Sequence, residues 1–280
     1  MTYTEKYVSY RADQDAVPKT SDQAKKAQFQ VCYIGGDVVP GSSFSEGLWY
    51  RETFEGRGIH THESDELIVL LGACDENPLD LYGTVELNIG DDRLVLDRTC
   101  AVYIPAGVPH GNFAVTRLER PIFRFTSLLD IGAYSAEPAT LDGALKGKYL
   151  NNVVYKDKDE NYREGVEKVM LRMLWTDNEV LDGAPYMEAL RFRGRVMGGT
   201  EPHTHDFPEF MGFFSTDPDD PYNLDGTVDF WIEDEKITLT KSCILFAPEG
   251  VVHSPLQFPE VGRPIFNISG GTGRSYSRLK

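Results

Sequence analysis

The chain has 280 residues, of which 41% are hydrophobic, and a formal net charge of -16. That length is enough for two ordinary domain cores. So large a negative charge speaks against nucleic acid or an anionic membrane as partner. It leaves a small anionic substrate open, because a metal and local arginines set the field inside a pocket.

Along the chain, Met1 is followed by Thr-Tyr-Thr-Glu-Lys-Tyr without the apolar segment of a signal peptide. No run approaches the length of a membrane span, so the expected compartment is the cytoplasm. Asp13–Lys26 is polar and reads as a short helix or an arm. Phe29–Ile34 reads as the first strand. His60 and His62 then share one face of a strand, since side chains alternate. Glu66 has the same parity but lies about 13 Å further along a straight strand, so the chain must turn between them. Glu63-Ser64-Asp65 is turn chemistry. The apolar run Leu67–Leu71 follows, and then a loop, Asp75–Leu81, reads as a surface hairpin connection.

Val85–Ile89 alternates as a half-buried strand. Tyr103–His110 carries a Pro105-x-Gly107 turn just before His110, which starts the next strand. Ala136–Lys148, with Gly143 and Gly147, holds the expected boundary. The predicted domains are 1–140, an arm and a first barrel, and 141–280, a linker and a second barrel. Lys156–Asn161 reads as a charged loop and Val169–Trp175 as a strand.

Beyond that point the chain repeats itself at one offset of 143 residues. His60, His62, Glu66 and His110 return as His203, His205, Glu209 and His253, and the chain has no other histidine. Pro208 forces the second bend, Asp206-Phe207-Pro208, and Phe210–Phe214 is the second apolar run. Pro248-x-Gly250 repeats the turn before His253. Arg120-Pro121-Ile122-Phe123 repeats as Arg263-Pro264-Ile265-Phe266. A repeat this long is a duplicated domain and not a solenoid unit. Three imidazoles and a carboxylate form the ligand set of a transition metal.

His-x-His-x-x-x-Glu followed by Pro-x-Gly-x-x-His resembles the two motifs of the cupin superfamily, and two copies make the chain similar to the bicupins over roughly residues 40–130 and 183–270. The resemblance implies an all-β fold, two tandem cupin-type double-stranded β-helix (jelly-roll) barrels, with one divalent transition metal per barrel. It departs at the glycine that opens the first motif. Gly198 and Gly199 take that place in the second copy, and Gly56 and Gly58 in the first. Iron, manganese, zinc, nickel and cobalt all suit the ligands.

Three histidines and one glutamate leave two positions of an octahedral ion for a bidentate oxygen chelator such as a keto-acid, diketone, enediol or catechol. Three functions follow. The first is a metal-dependent oxygenase of dioxygenase type. The second is a non-redox isomerase, decarboxylase or C–C hydrolase working through an enolate. The third is a metal-holding module without turnover, which retention of every ligand weighs against. The expected partner is a small molecule, with self-association left open.

Arg191, Arg193 and Arg195 alternate on the strand before His203, so one face could hold a substrate carboxylate; three solvated arginines are the plainer alternative. Arg51 lies near the corresponding place in the first copy. Asp206 and Asp65 sit in the two bends, where each could orient an imidazole or act as a base. Trp49, Tyr50, Tyr103, Trp175, Phe192 and Phe246 are core or pocket aromatics. Cys32, Cys74, Cys100 and Cys243 read as buried apolar residues.

Overall fold

The computed structural model describes residues 2–12, 22–56, 58–155 and 168–279. Its antiparallel strands form two compact units, 12–30 with 43–155 and 1–11 with 31–42 and 156–280. This division differs from a cut after residue 140, and hydrogen bonds explain why. Asp91 and Asp92 accept the backbone N–H groups of Gly143, Leu145 and Gly147, tying that stretch to the first unit. Val153–Val154 then pairs with Cys100–Ile104. Conversely, Val8–Ser9 pairs with Cys243–Ala247 in the second unit.

In the first unit, one sheet runs Val153–Val154, Cys100–Ile104, Glu66–Gly72, Ile122–Leu128, Phe44–Tyr50, then the start of Gln28–Ile34. The facing sheet runs Glu137–Pro138, His60–Thr61, His110–Leu118, Asp80–Ile89, Asp92–Arg98. Leu48, Ile68 and Leu70 from the first sheet meet Val85, Leu87 and Val115 from the second in one apolar cluster. Asp80–Ile89 buries every second side chain, as its alternation predicts, though it begins five residues before Val85. Glu66–Gly72 is buried at every position. A strand covered on both faces reads as a continuous apolar run.

The second unit repeats the plan. One sheet runs Val8–Ser9, Cys243–Ala247, Glu209–Ser215, Ile265–Gly271, Met187–Phe192, Met170–Thr176. A three-stranded sheet of Glu235–Lys241, Asn223–Ile232 and His253–Val261 faces it. Leu190, Met211 and Phe213 pack with Val228, Phe230 and Leu239. The fold is therefore all-β, with two duplicated cupin-type barrels.

Helices are brief. Asp22–Ala27 is one, which settles the helix-or-arm alternative for the last part of Asp13–Lys26; residues 13–21 lie outside the described residues, as does the charged loop Lys156–Asn161. The helix Tyr3–Tyr7 is one that sequence reading passed over, although Thr2 and Glu5 form a capping box that is legible in the residues. Among the described residues no helix is long and apolar enough to cross a membrane. All four cysteines are buried free thiols.

Candidate metal centres

Each barrel brings its ligands together from two facing sheets. In the first, the chain bends at Glu63 and Ser64 between His60–Thr61 and Glu66–Gly72, so the histidines and Glu66 sit on opposite walls. His110 lies opposite His60 in register. In the second barrel the contact is an isolated bridge between His203 and His253 rather than a full strand, because Pro202 and Pro208 flank the motif.

The turn before the late histidine is the same in both copies. Gly107 and Gly250 each have φ 75°. Their N–H groups donate to the carbonyls of His62 and His205, at 2.8 and 3.0 Å. A glycine at this positive φ lets the turn close against the His-x-His segment. The motif-opening glycine is also repeated. A Cβ on Gly56 would sit 2.4 Å from the Phe113 carbonyl oxygen, and one on Gly199 2.6 Å from that of Leu256. These are equivalent pairs at the 143-residue offset, so close backbone approach selects glycine there.

The imidazoles form nearly congruent triangles. Ring centroids are 4.9, 4.4 and 4.9 Å apart in the first site and 4.8, 4.6 and 5.0 Å in the second. One ligand atom from each histidine lies within 4.8 Å of the others.

Every ring is oriented by its outer nitrogen. The Nδ1 atoms of His60, His110, His203 and His253 face the carbonyls of Gly58, Val108, Glu201 and Val251. Those of His62 and His205 face the carbonyls of Ser135 and Ser277. A carbonyl only accepts, so Nδ1 carries the proton and Nε2 is left bare toward the centre.

The carboxylates meet those bare nitrogens. Glu66 Oε2 is 3.0 Å from His110 Nε2 and 3.8 Å from His62 Nε2. Glu209 Oε2 is 3.1 Å from His253 Nε2 and 3.5 Å from His205 Nε2. Two lone pairs do not face one another at such distances without a cation between them. A proton serves in the metal-free site and a metal serves better. Adjacent ligands of an octahedral ion with bonds of about 2.1 Å stand about 3.0 Å apart, which matches the shortest pair in each site. The donor set therefore fits one divalent transition metal per barrel.

Charge is arranged for that exchange. Burial, followed by the charge of His110, lowers the pKa of His60 to about 4, and burial lowers His203 to about 4. Burial also opposes charge on His110 and His205, but hydrogen bonds to Glu66 and Glu209 raise both. Burial would raise Glu66 and Glu209; the histidine partners overcome it and hold each at about 2. The carboxylates stay ionised across the physiological range.

A strap crosses each site after the last long strand. In the first copy, Glu137 pairs with Thr61 and Pro138 with His60, and the Tyr134 ring lies 5.3 Å from that of His62. In the second, Leu279 bridges Thr204 and the Tyr276 ring lies 5.4 Å from that of His205. Tyr134-Ser135 and Tyr276-Ser277 are thus equivalent.

The second site opens into a cavity of about 550 Å³ whose wall includes His203, His253, Glu209, Arg172, Glu188 and Arg278. The arginines in the cavity wall, Arg172 and Arg278, are not those that the sequence pattern singles out. Glu188, Leu190 and Phe192 line the cavity, whereas Arg191, Arg193 and Arg195 do not. Arg191 is buried on the opposite face of its strand, with its guanidinium 5.5 Å from the Phe266 ring. Arg51 is exposed and lies over Phe29. Asp206 accepts from the Ser277 hydroxyl and so holds the strap, not an imidazole. Asp65 accepts from Tyr103 Oη and Ala106 N, and so holds the Pro-x-Gly turn. Of the six aromatics singled out, Trp175 and Phe192 reach the cavity.

The first site differs inside. Arg124 places one guanidinium nitrogen 3.7 Å from Glu66 Oε1 and the other 3.7 Å from Glu46 Oε1, and Gln30 donates to the second oxygen of Glu46 at 2.8 Å. The position equivalent to Arg124 is Asn267, which donates to the Gly212 carbonyl.

No family model matches the sequence, and no curated relative does. The fold matches solved structures. An oxalate decarboxylase studied for its substrate binding mode and reaction specificity superposes with a TM-score of 0.61 at 12% identity, covering 100% of this chain and 80% of that one. The Bacillus subtilis oxalate decarboxylase studied for its Mn(II) centres gives 0.53 at 13% identity, covering 89% and 74%. AerE from Microcystis aeruginosa gives 0.51 at 14% identity, covering 98% and 100%. At these identities the likeness is one of fold.

Proposed function

We propose that this chain is a metal-dependent enzyme that acts on a small, oxygen-chelating organic acid in its second barrel. The observation that carries this reading is the conjunction of a His203–His205–Glu209–His253 donor set with an open cavity that has Arg172 and Arg278 in its wall. Open coordination positions beside a cavity belong to catalytic rather than structural metal sites. A bound divalent ion supplies Lewis acidity to a chelated oxygen and, if redox-active, a route for electrons to dioxygen.

The chain's own residues set what is bound and where protons go. An arginine in the wall pairs with a substrate carboxylate. Glu188 stands 3.6 Å from Arg172, with 20% of its side chain exposed, and is the carboxyl placed to carry a proton at the cavity wall. Its equivalent in the first barrel, Glu46, is 4% exposed and engaged by Arg124 and Gln30. Proton transfer through a wetted carboxyl is therefore a property of the second site.

Two reaction types compete. Decarboxylation gains support from fold neighbours that are oxalate decarboxylases, one of which has Mn(II) centres. Oxidative cleavage of dioxygenase type is supported by the bicupin resemblance of the ligand motifs. The test is metal analysis of protein purified without added metal or an affinity tag, followed by turnover with and without dioxygen. Carbon dioxide release without net oxygen uptake supports decarboxylation, and iron with stoichiometric oxygen uptake supports cleavage. A second barrel that takes up no metal refutes both.

A further inference from the structure

The second cavity is built for something larger than a two-carbon diacid. A small aromatic ring fits a cavity of roughly 150 Å³, and this one measures about 550 Å³. Its walls are not uniformly polar. Leu190, Met211, Phe230 and Leu256 supply an apolar side. A dianion of four oxygens on two carbons has no apolar surface to set against them, so most of that wall would stay wet.

The other side is aromatic and begins at the ligand histidines. The Tyr276 ring lies 5.4 Å from the His205 ring and 6.4 Å from the His203 ring. It continues to Tyr186 at 4.8 Å and to Trp175 at 6.2 Å. Each end of this wall carries a cation. The Arg278 guanidinium sits 4.9 Å over Tyr276, and that of Arg172 5.0 Å over Trp175. Arg278 Nε also donates to the Tyr276 hydroxyl at 2.8 Å.

The first barrel serves as an internal control. It keeps the tyrosine, as Tyr134, packed on its own histidine. At the strand and strap positions of Arg172 and Arg278 it has Gln30 and Ala136. A tyrosine against a ligand histidine is thus common to both copies, and the two arginines are particular to the second.

We propose that the second barrel takes a planar aromatic hydroxy-acid or a close conjugated analogue, whose oxygens chelate the metal, whose ring lies along Tyr276 and whose acid group pairs with Arg278. This rests on the reading of the second barrel as the catalytic metal site. Ring contact with an aromatic wall favours a flat ligand over an alkyl one of equal size, and the guanidinium supplies a bidentate partner for the acid.

Three probes separate the cases on the full chain loaded with Mn(II), with binding read by calorimetry: salicylate, 2-hydroxyhexanoate and oxalate. Salicylate should bind at least about tenfold tighter than either of the others. Tyr276→Leu and Arg278→Met should each cost salicylate about tenfold, and Tyr276→Leu should leave oxalate within about threefold. Tyr276→Phe, which keeps the ring, should retain salicylate binding, and its metal content shows that the strap is intact.

Equal or tighter binding of oxalate or of 2-hydroxyhexanoate overturns the proposal. So does indifference of salicylate to both Tyr276→Leu and Arg278→Met. Either result leaves the metal-site reading standing if binding still requires His203 and His205. Binding that survives His203→Ala/His205→Ala overturns that reading, and the proposal with it.

Discussion

In the first barrel the strand Ile122–Leu128 turns Arg124 inward, where it stands 3.7 Å from both Glu66 and Glu46. In the second the same register position holds Asn267, and the cations at the cavity wall come from other elements: Arg172 on the strand Met170–Thr176 and Arg278 on the strap. The coordinating atoms are nearly superposable while the charges around them are rearranged. Duplication preserved what a metal demands, which is geometry, and changed what a substrate reads, which is the electrostatic surroundings of the open positions. The first barrel sets its arginine between two buried carboxylates. The second pairs Arg172 with Glu188, and both lie at the wall of a cavity.

The broadest way to break this comparison is to ask whether both donor sets hold metal at all. Purified protein should carry up to two divalent ions. His60→Ala/His62→Ala and His203→Ala/His205→Ala should each remove one, and the four substitutions together should remove both. Elemental analysis reads this directly, and retention of full metal by either double variant would refute the assignment for that barrel.

Catalysis should divide the barrels next. Glu209→Gln should lower turnover by roughly 100-fold or more, since loss of groups that merely support metal ligands already costs about 10–100-fold. Glu66→Gln should cost far less, because the proposed substrate site lies in the other barrel. Steady-state rates of the two variants decide it; equal losses, or a larger loss from Glu66→Gln, would reverse the roles given to the barrels.

Why the ligands were legible and their surroundings were not follows from how each is encoded. The eight ligands keep one offset and are side chains of distinctive type, so spacing alone exposes them. The strap escapes that search because it is displaced by one residue: Tyr134-Ser135 and Tyr276-Ser277 are 142 apart, after a shorter connection in the second copy. Its contribution to the ligands is also a backbone carbonyl, which any residue supplies. That Arg191 and Arg193 lie off the cavity wall has another cause. Met187–Phe192 is nearly buried on both faces, so alternation shows which residues share a face but not which face looks inward. Arg124 had a signal that went unread. It is the first mismatch after Arg120-Pro121-Ile122-Phe123, the point where two otherwise parallel copies diverge.

Stability should follow the same difference. Arg124→Ala leaves Glu46 buried without its cation, while Glu66 keeps His110, and should destabilise the metal-free first unit by about 3 kcal/mol. Asn267→Ala removes one hydrogen bond to the Gly212 carbonyl and should cost about 1 kcal/mol. Thermal unfolding of the two variants tests the contrast. Equal shifts would mean that Arg124 is no more than a spacer. Where the barrels agree, so should the mutants: Gly56→Ala and Gly199→Ala each push a methyl against a backbone carbonyl and should cost about 1–3 kcal/mol apiece.

The smallest expected difference concerns pH. The histidine whose pKa is raised is His110 in the first site and His205 in the second. The raised pKa favours a proton on each when metal is absent, so proton and metal compete for its ring nitrogen. Metal occupancy should fall as pH drops through and below the imidazole range, and return as it rises. His60 and His203, lowered to about 4, are already neutral there and offer no competition until stronger acid. In the metal-free protein the sign for the carboxylates is separate. Glu66 and Glu209 at about 2, against an ordinary 4.5, add stability that is complete above about 4.5 and is lost as pH falls toward 2. The raised histidines add stability in acid that is lost as pH rises through their folded values. Because both sites pair one raised histidine with one depressed carboxylate, their metal-release midpoints should lie within about one pH unit of each other. Dialysis at stepped pH of the two single-barrel variants, with metal measured in each, checks this. Occupancy indifferent to pH between about 7 and 4 in either variant would mean that imidazole nitrogens are not what binds the ion.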